Sequence, residues 1–219
     1  MNCAVLLSGC GHMDGSEIRE SVLVLLELDR LGVRFQCCAP DIQQCDVVNH
    51  VSKSSESQTA RNILVESARI ARGDIVNIKS LRVHEFDMLI VPGGFGVAKN
   101  FSNLVSQSGS VVVEDDVNSL IREFHRVRKA IGGVCIAPAI IAAALSELVK
   151  VKVTLGDDTD GIISRCGGEH VVCPTDGFVV DEENAVFSCS AYMRDDRLHR
   201  VHLGIQKMVE GMVKFCNSR

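Results

Sequence analysis

The sequence has little aromatic character, with no tryptophan, a single tyrosine at Tyr192 and 4% aromatic residues over 219 positions. Stacking platforms for single-stranded nucleic acid are therefore not expected. No apolar run approaches the roughly 18 residues that a membrane-spanning helix needs, so we expect no membrane partner. Positive charge is not in excess, because 23 basic and 28 acidic residues leave a net charge of −5. Electrostatics thus favour neither a nucleic-acid partner nor an anionic membrane surface.

Aliphatic side chains supply most of the 46% hydrophobic content, alongside 23% charged residues. This composition is typical of a globular protein with a real core, and the length favours one domain over residues 1–219. Val, Ile, Leu and Ala dominate, as in parallel strands that are buried on both faces.

Ten cysteines are spread along the chain, and none forms a CxxC pair. Met1 leads directly into a strand-like run, without the pattern of a signal peptide. We therefore expect free thiols in a reducing cytoplasm. Cys166, His170 and Cys173 lack a fourth ligand and zinc-finger spacing, so we expect no metal.

Strand and helix patterns alternate through the first two thirds of the chain. The predicted strands there are residues 3–7, 33–39, 88–91 and 132–135. The predicted helices are 18–32, with Ile18, Val22, Leu25 and Leu26 as its apolar positions, then 59–72, 117–131 and 138–145. Short strands at 151–155, 171–173, 178–180 and 186–189 precede a last amphipathic helix with Leu198, Val201, Ile205, Met208, Val209 and Met212 on one face.

This alternation predicts an α/β fold with right-handed crossovers and a mostly parallel sheet covered on both sides. Functional sites of such sheets lie beyond the carboxyl ends of the strands. Three loops leave those ends, at residues 9–16, 93–100 and 135–138. The search for chemistry therefore begins there.

Cys135 lies where a strand turns directly into a helix, after two glycines and before Pro138. Such a turn resembles a nucleophile elbow, which exposes the side chain near helix N–H groups. Those groups favour a thiolate, so the pattern predicts a lowered thiol pKa and a nucleophilic cysteine. A buried, inert cysteine is the alternative.

Glu17 begins the first long helix and is the second candidate. It either caps the helix or faces Cys135 and shares a proton with the sulfur. Gly93 and Gly94 follow a strand and allow close approach of backbone N–H groups, which suits an oxyanion hole completed by Ile136. The alternative for them is an ordinary turn.

The loop after the first strand does not fit dinucleotide binding, because Asp14 stands where GxGxxG requires its third glycine. His12, in the first loop, and His170, at the start of a strand, are candidates to approach the site. A turn or surface position is the alternative for each. His202 is interpreted as a packing residue of the last helix.

With these residues placed, the chain resembles the PfpI-like superfamily of Parkinsonism-associated deglycases and intracellular proteases. It is most similar to the enhancing-lycopene-biosynthesis (ElbB) subfamily. The resemblance rests on matches along nearly the whole chain: LSGCG at 7–11, DGSEI at 14–18, APDIQQCDVVNH at 39–50, RNILVESARIARG at 61–73, LIVPGGFGVAKNFSN at 89–103, CIAPA at 135–139, GGEHVVCP at 167–174 and AYM at 191–193.

The resemblance implies a flavodoxin-like three-layer sandwich, like that of class I glutamine amidotransferases, and a homodimer. It also implies an elbow cysteine paired with a glutamate, at Cys135 and Glu17 here. The implied activity is a cofactor-independent glyoxalase that acts on a small dicarbonyl substrate and is associated with isoprenoid output. His170 is the candidate for a second proton transfer.

Two features depart from the wider pattern. Ile136 stands where many superfamily members carry histidine, which argues against a protease or amidase. His12 and Met13 replace an apolar residue and a tyrosine of the subfamily. A non-catalytic protein with an oxidisable Cys135 stays open as the alternative function.

Overall fold

A computed structural model describes residues 1–56, 58–105 and 110–218. The strands are β1 (Asn2–Leu6), β2 (Arg34–Ala39), β3 (Val48–Asn49), β4 (Ser54–Ser55), β5 (Ile75–Asn77), β6 (Met88–Val91), β7 (Ala130–Val134), β8 (Lys152–Val153), β9 (Glu169–His170), β10 (Val179–Asp181) and β11 (Val186–Cys189). The α-helices are α1 (Ile18–Arg30), α2 (Ile63–Ile70), α3 (Phe95–Asn100), α4 (Asp115–Arg126), α5 (Ala137–Leu145), α6 (Ile162–Arg165) and α7 (Leu198–Asn217).

The central sheet has seven strands in the order β10-β11-β7-β6-β1-β2-β5. All neighbours are parallel except β10 and β11, which form an antiparallel hairpin. The chain first builds outward from β1 to β2 and β5, and then returns to place β6 on the other side of β1. This reversal opens a crevice at the carboxyl ends of β1 and β6, where α/β sheets place their ligands.

Apolar side chains fill both faces of the sheet. One buried cluster contains side chains of α3, α4 and α5, among them Phe101 and Phe124. The other contains side chains of α1 and α7, among them Leu28 and Ile205. The predicted flavodoxin-like three-layer α/β sandwich is therefore confirmed.

The apolar face assigned to α1 is wrong. Ile18, Val22 and Leu26 are 47%, 50% and 49% exposed, whereas the buried positions include Glu20 and Glu27. Glu27 tolerates burial because Arg30 and His202 both contact its carboxylate. The helix is rotated so that two carboxylates face inward and an apolar stripe faces outward.

Two predicted helices are too long. The first spans Ile63–Ile70, because the side chain of Asn62 accepts the N–H of Val65 and caps the helix there. The second ends at Arg126, and Arg128 takes a left-handed φ of +57° that redirects the chain into β7. Ala130 and Ile131 are consequently strand residues, so β7 begins two residues before the predicted strand.

The last third is less regular than predicted. Residues 171–173 form no strand, since pairing there is confined to Glu169–His170 with β8. The predicted strand at 186–189 is confirmed, while that at 178–180 begins and ends one residue later, as β10. The last helix is confirmed, although Leu198 at its start is 48% exposed. Several short elements had no prediction, namely the strands β3, β4, β5 and β9 and the helices α3 and α6.

Phe124 should be a main support of the α3–α5 side of the core, because it is fully buried on α4. We expect Phe124→Ala to lower the free energy of unfolding by about 3–5 kcal/mol, through lost burial and the cavity that remains. Urea denaturation measures this loss. Val127→Ala, at a residue that is 40% exposed beside the same helix, is the control and should change stability by about 0.5 kcal/mol or less. Equal effects would contradict the assigned packing.

Candidate active site

Two loops are joined at the carboxyl ends of β1 and β6. The N–H of Phe95 donates to the carbonyl of His12 at 2.8 Å, and the N–H of Gly96 donates to the carbonyl of Gly15 at 2.9 Å. The N–H of Glu17 donates to the carbonyl of Gly93 at 2.8 Å. These bonds fix the start of α1 against the glycine turn that follows β6.

Gly94 is required by this close approach. Its φ is +105°, and a Cβ on it would overlap the carbonyl oxygen of Gly15 and the backbone nitrogen of Glu17. Glycine alone combines that conformation with that contact.

Cys135 occupies a strained turn between β7 and α5. Its φ is +61°, in the left-handed region that few residues other than glycine adopt. The backbone N–H donates to the carbonyl of Cys189 at 3.0 Å, which anchors the turn to the end of β11. The residue is 8% exposed, so the elbow holds its side chain almost entirely below the surface.

Three groups surround the sulfur of Cys135. The backbone N–H groups of Gly94 and Ile136 favour negative charge on it, and the carboxyl of Glu20 lies nearby, across Gly93. The structure thus brings together Cys135 and two of the three backbone groups proposed for an oxyanion hole. The third, Gly93, lies between the Cβ of Cys135 and Oε2 of Glu20, and any side chain there would overlap both.

Glu20 is fully buried and projects from α1 toward the ends of β6, β7 and β11. Its Oε1 accepts the backbone N–H of Tyr192 at a long 3.3 Å. Its Oε2 has no hydrogen-bond partner among the described residues. A carboxylate in this place is poorly solvated, so the Cys135 thiol is the group best placed to interact with Oε2.

Burial raises the pKa of the Glu20 carboxyl to about 8, and the charge of Glu17 adds to the shift. Burial also raises the pKa of the Cys135 thiol well above its usual value, and the adjacent Glu20 carboxylate raises it further. The N–H groups of Gly94 and Ile136 act in the opposite direction. The lowered thiol pKa predicted from the helix terminus is therefore wrong, because desolvation outweighs these two donors.

Two mammalian proteins are similar to the chain over almost its full length. It is 36% identical to the rat "ES1 protein homolog, mitochondrial", over 98% of this chain and 84% of that protein. It is 37% identical to the human "Glutamine amidotransferase-like class 1 domain-containing protein 3, mitochondrial", over 98% and 83%. The chain belongs to the ES1 family of glutamine amidotransferase-like class 1 proteins. No family model matches it.

Solved structures agree with this assignment. The ES1-family chain superposes with a TM-score of 0.94 on an isoprenoid biosynthesis protein with an amidotransferase-like domain from Ehrlichia chaffeensis, at 55% identity and over 98% of this chain and 99% of that one. It shares its fold with DJ-1β of Drosophila melanogaster, with a TM-score of 0.57 at 15% identity over 99% and 94%. The expected likeness to the PfpI and DJ-1 superfamily is thereby confirmed for the fold.

The location expected from the sequence receives no specific support. The rat and human ES1-family relatives are named as mitochondrial, which does not fit a cytoplasmic location specifically. In residues 1–56, 58–105 and 110–218, no helix has the length and apolarity to cross a bilayer.

Glu17, which was predicted to pair with Cys135, does not face the sulfur. Its Oε2 accepts the N–H of Glu20 at 2.6 Å, so its side chain caps α1. A carboxylate at that position interacts favourably with the free N–H groups of the helix. The capping interpretation of Glu17 therefore describes the structure, and the glutamate beside the sulfur is Glu20.

His170 lies at the end of the small β8–β9 sheet, in register with Val153. Its Nε2 is buried without a hydrogen-bond partner among the described residues. Its role in proton transfer stays a prediction. Within the described part of the chain, no three His, Cys, Asp or Glu side chains converge as metal ligands.

Glu20 was missed because the sequence analysis placed the apolar face of α1 on Ile18 and Val22. A signal was nevertheless present: Glu20, Val24 and Leu28 recur at intervals of four, the spacing of one helix face. A carboxylate in line with two core residues is costly to bury without a role.

The buried Glu20 should make stability depend on pH. The folded protein holds a proton on Glu20 between about pH 4.5 and 8, where an unfolded chain releases it. Wild-type stability should therefore fall as pH rises through this window, by up to about 1.4 kcal/mol per pH unit. Glu20→Gln removes the titrating group. As pH rises through this window, the unfolding free energy of the variant should therefore increase relative to that of the wild type.

Urea denaturation across that window measures the effect. Glu17→Gln, three residues earlier, is the matched control: its stability should still fall as pH rises, over a narrower window, because loss of the Glu17 charge lowers the pKa of Glu20. If Glu20→Gln ran parallel to wild type, Glu20 would not be protonated in the folded state.

Proposed function

We propose that this protein is a cofactor-independent glyoxalase that converts glyoxal or methylglyoxal to a hydroxy acid. Cys135 is the nucleophile and Glu20 is the general acid and base. The observation that supports this most directly is the contact between a strained elbow thiol and a buried carboxyl whose pKa is raised to about 8. A general acid–base group is most effective when its pKa lies near the working pH.

The resting pair holds its protons because two adjacent anions would repel one another in a buried site. The first proton leaves Glu20, whose pKa is the lower of the two, and its carboxylate then takes the thiol proton as the sulfur becomes nucleophilic. The N–H groups of Gly94 and Ile136 favour the negative charge on the sulfur. The reactive form is then a thiolate beside a protonated Glu20.

In the first step the sulfur of Cys135 forms a bond to the aldehyde carbon, and the carbonyl electrons move to oxygen. The N–H groups of Gly94 and Ile136 no longer need to stabilise sulfur and can hold the new oxyanion. Glu20 then protonates that oxygen, which completes a hemithioacetal and leaves Glu20 as a carboxylate.

Glu20 next removes the proton from the former aldehyde carbon, giving an enediolate, and returns it to the neighbouring carbon. The proton of the hemithioacetal hydroxyl passes to the oxygen on that neighbouring carbon. The product is a thioester of the hydroxy acid on Cys135. Water attacks this thioester with Glu20 as base, the carbon–sulfur bond breaks, and the hydroxy acid leaves. One carboxyl serves each transfer in turn, so this scheme does not depend on His170.

The alternative, a non-catalytic protein that senses oxidants through Cys135, draws on the same sulfur. It predicts oxidation of Cys135 without aldehyde turnover, so the kinetic test below separates the two. Amide cleavage is less well supported, because Ile136 replaces the histidine that would protonate a leaving amine.

We extend the isoprenoid association of the Ehrlichia relative to this protein as part of the same proposal. We also propose a reducing compartment, cytoplasmic or mitochondrial. All ten cysteines are free thiols in the structure, as is usual where disulfides do not persist.

Turnover of methylglyoxal should separate the two glutamates. Cys135→Ala should abolish activity, and Glu20→Gln should lower kcat by about 10²–10⁴-fold through the loss of acid–base catalysis. Glu17→Gln should stay close to wild type, since Gln can still cap α1. The measurement is formation of the hydroxy acid by each purified variant. Full activity of Glu20→Gln, or of Cys135→Ala, would refute the mechanism.

We further propose that the protein is a homodimer that associates through the exposed stripe on α1. Ile18, Val22 and Leu26 recur at intervals of four and are each about half exposed, an unusual arrangement for a free helix face. A second copy that presents the same stripe would bury both in one symmetric interface.

Light scattering after size exclusion tests the dimer. Wild type should have twice the mass of one chain, and Val22→Glu should shift it to the monomer by placing charge in the interface. Val65→Glu, on a 61% exposed residue of α2, is the control and should stay dimeric. A wild-type monomer would exclude this assembly.

A further inference from the structure

A second thiol lies beside the candidate active site and takes no part in the proposed mechanism. Cys189 ends β11 and is fully buried. Its carbonyl accepts the N–H of Cys135 at 3.0 Å, and it is in register with Val134, the residue before Cys135. The two cysteines are therefore diagonal neighbours on adjacent strands.

Strand register bears on their separation. For two regular strands, a spacing of about 4.8 Å and a rise of about 3.3 Å per residue correspond to about 5.8 Å between such diagonal Cα atoms. Disulfides connect Cα atoms about 4.4–6.8 Å apart, so this register is compatible with a disulfide.

The side chains share one environment. Consecutive residues of a regular strand point to opposite faces, which would separate Cys135 from Cys189. The left-handed φ of Cys135 breaks this alternation, and both residues belong to the buried cluster on the α1 and α7 side of the sheet. Burial is the main cause of the raised pKa of both thiols, and the charge of Glu20 is the second. The carboxyl of Glu20 therefore lies near each sulfur.

We propose that Cys189 is the resolving cysteine for Cys135, so that a hydroperoxide converts the pair to a Cys135–Cys189 disulfide. The proposal does not depend on aldehyde turnover. It adds a reversible modification to the elbow sulfur, and that modification blocks any chemistry in which Cys135 is the nucleophile.

The reaction has two balanced steps. The thiolate of Cys135 attacks one peroxide oxygen, the O–O bond breaks, and sulfur is oxidised to a sulfenic acid while the peroxide is reduced to water or an alcohol. The sulfur of Cys189 then attacks the sulfur of the sulfenic acid. The S–O bond breaks, the S–S bond forms, and hydroxide leaves as water with the proton of Cys189.

Cys173 is the competing partner. It is buried, and its charge also raises the pKa of Cys189, so it lies close enough to interact with that thiol. It lacks the strand register that joins Cys189 to the elbow. Cys173→Ser is therefore the matched control for Cys189→Ser.

The test treats the full chain with stoichiometric hydrogen peroxide, blocks remaining thiols with iodoacetamide under denaturing conditions, and maps unreduced peptides by mass spectrometry. Wild type and Cys173→Ser should both yield a Cys135–Cys189 cross-linked peptide that dithiothreitol removes. Cys189→Ser should lose it and accumulate Cys135 as dimedone-reactive sulfenic acid and then as sulfinic acid. Cys189→Ala gives the same readout if serine disturbs folding, which thermal unfolding of each variant reports.

Other outcomes would overturn the proposal. These are a wild-type chain in which Cys135 passes to the sulfinic acid while Cys189 stays alkylatable, a disulfide that pairs Cys189 with Cys173, and a Cys135 that peroxide leaves unmodified. Loss of glyoxalase activity in Cys135→Ala with the disulfide intact in wild type would support both proposals. A wild-type disulfide without turnover would remove only the glyoxalase.

Discussion

Burial of Glu20 beside the thiol of Cys135 is the constraint around which this end of the molecule is arranged. A fully buried carboxyl with a long hydrogen bond from the N–H of Tyr192 keeps its proton to about pH 8. The site therefore holds a proton next to the elbow thiol. Desolvation raises both pKa values, and only the N–H groups of Gly94 and Ile136 favour charge on the sulfur.

The backbone accepts strain to keep this pair together. Cys135 adopts a left-handed conformation that its side chain disfavours, and Gly93 and Gly94 lie so close to their neighbours that no other residue fits. Such local costs, of order 1–3 kcal/mol for a strained residue, persist when surrounding contacts fix the geometry. Here the fully buried α5 and the bonds between the loops after β1 and β6 supply those contacts.

The rotation of α1 about its axis determines both the burial of Glu20 and the exposed apolar stripe on the opposite face. Turning Glu20 and Glu27 inward forces Ile18, Val22 and Leu26 outward, so the helix that supplies the acid also carries the apolar stripe. The carboxylate of Glu27 contacts Arg30 and His202, whereas the groups that shift the pKa of Glu20 are Glu17, Tyr192, Cys135 and Gly93. The contrast explains why one buried carboxylate is structural and the other is chemically available.

The sequence by itself determined the alternation of strands and helices, the three loops at the carboxyl ends of the strands, and the elbow at Cys135, because these depend on local periodicity and on glycine and proline placement. It did not determine which glutamate meets the sulfur. Glu17 and Glu20 differ by less than one helical turn, and the rotation of α1 is set by packing against β2 and α7. The thiol pKa also required the tertiary structure, since a helix terminus is visible in the sequence but burial is the sum of contacts from distant segments. Ala130 and Ile131 likewise fit a helical pattern in the sequence, and only their pairing with β6 makes them strand residues.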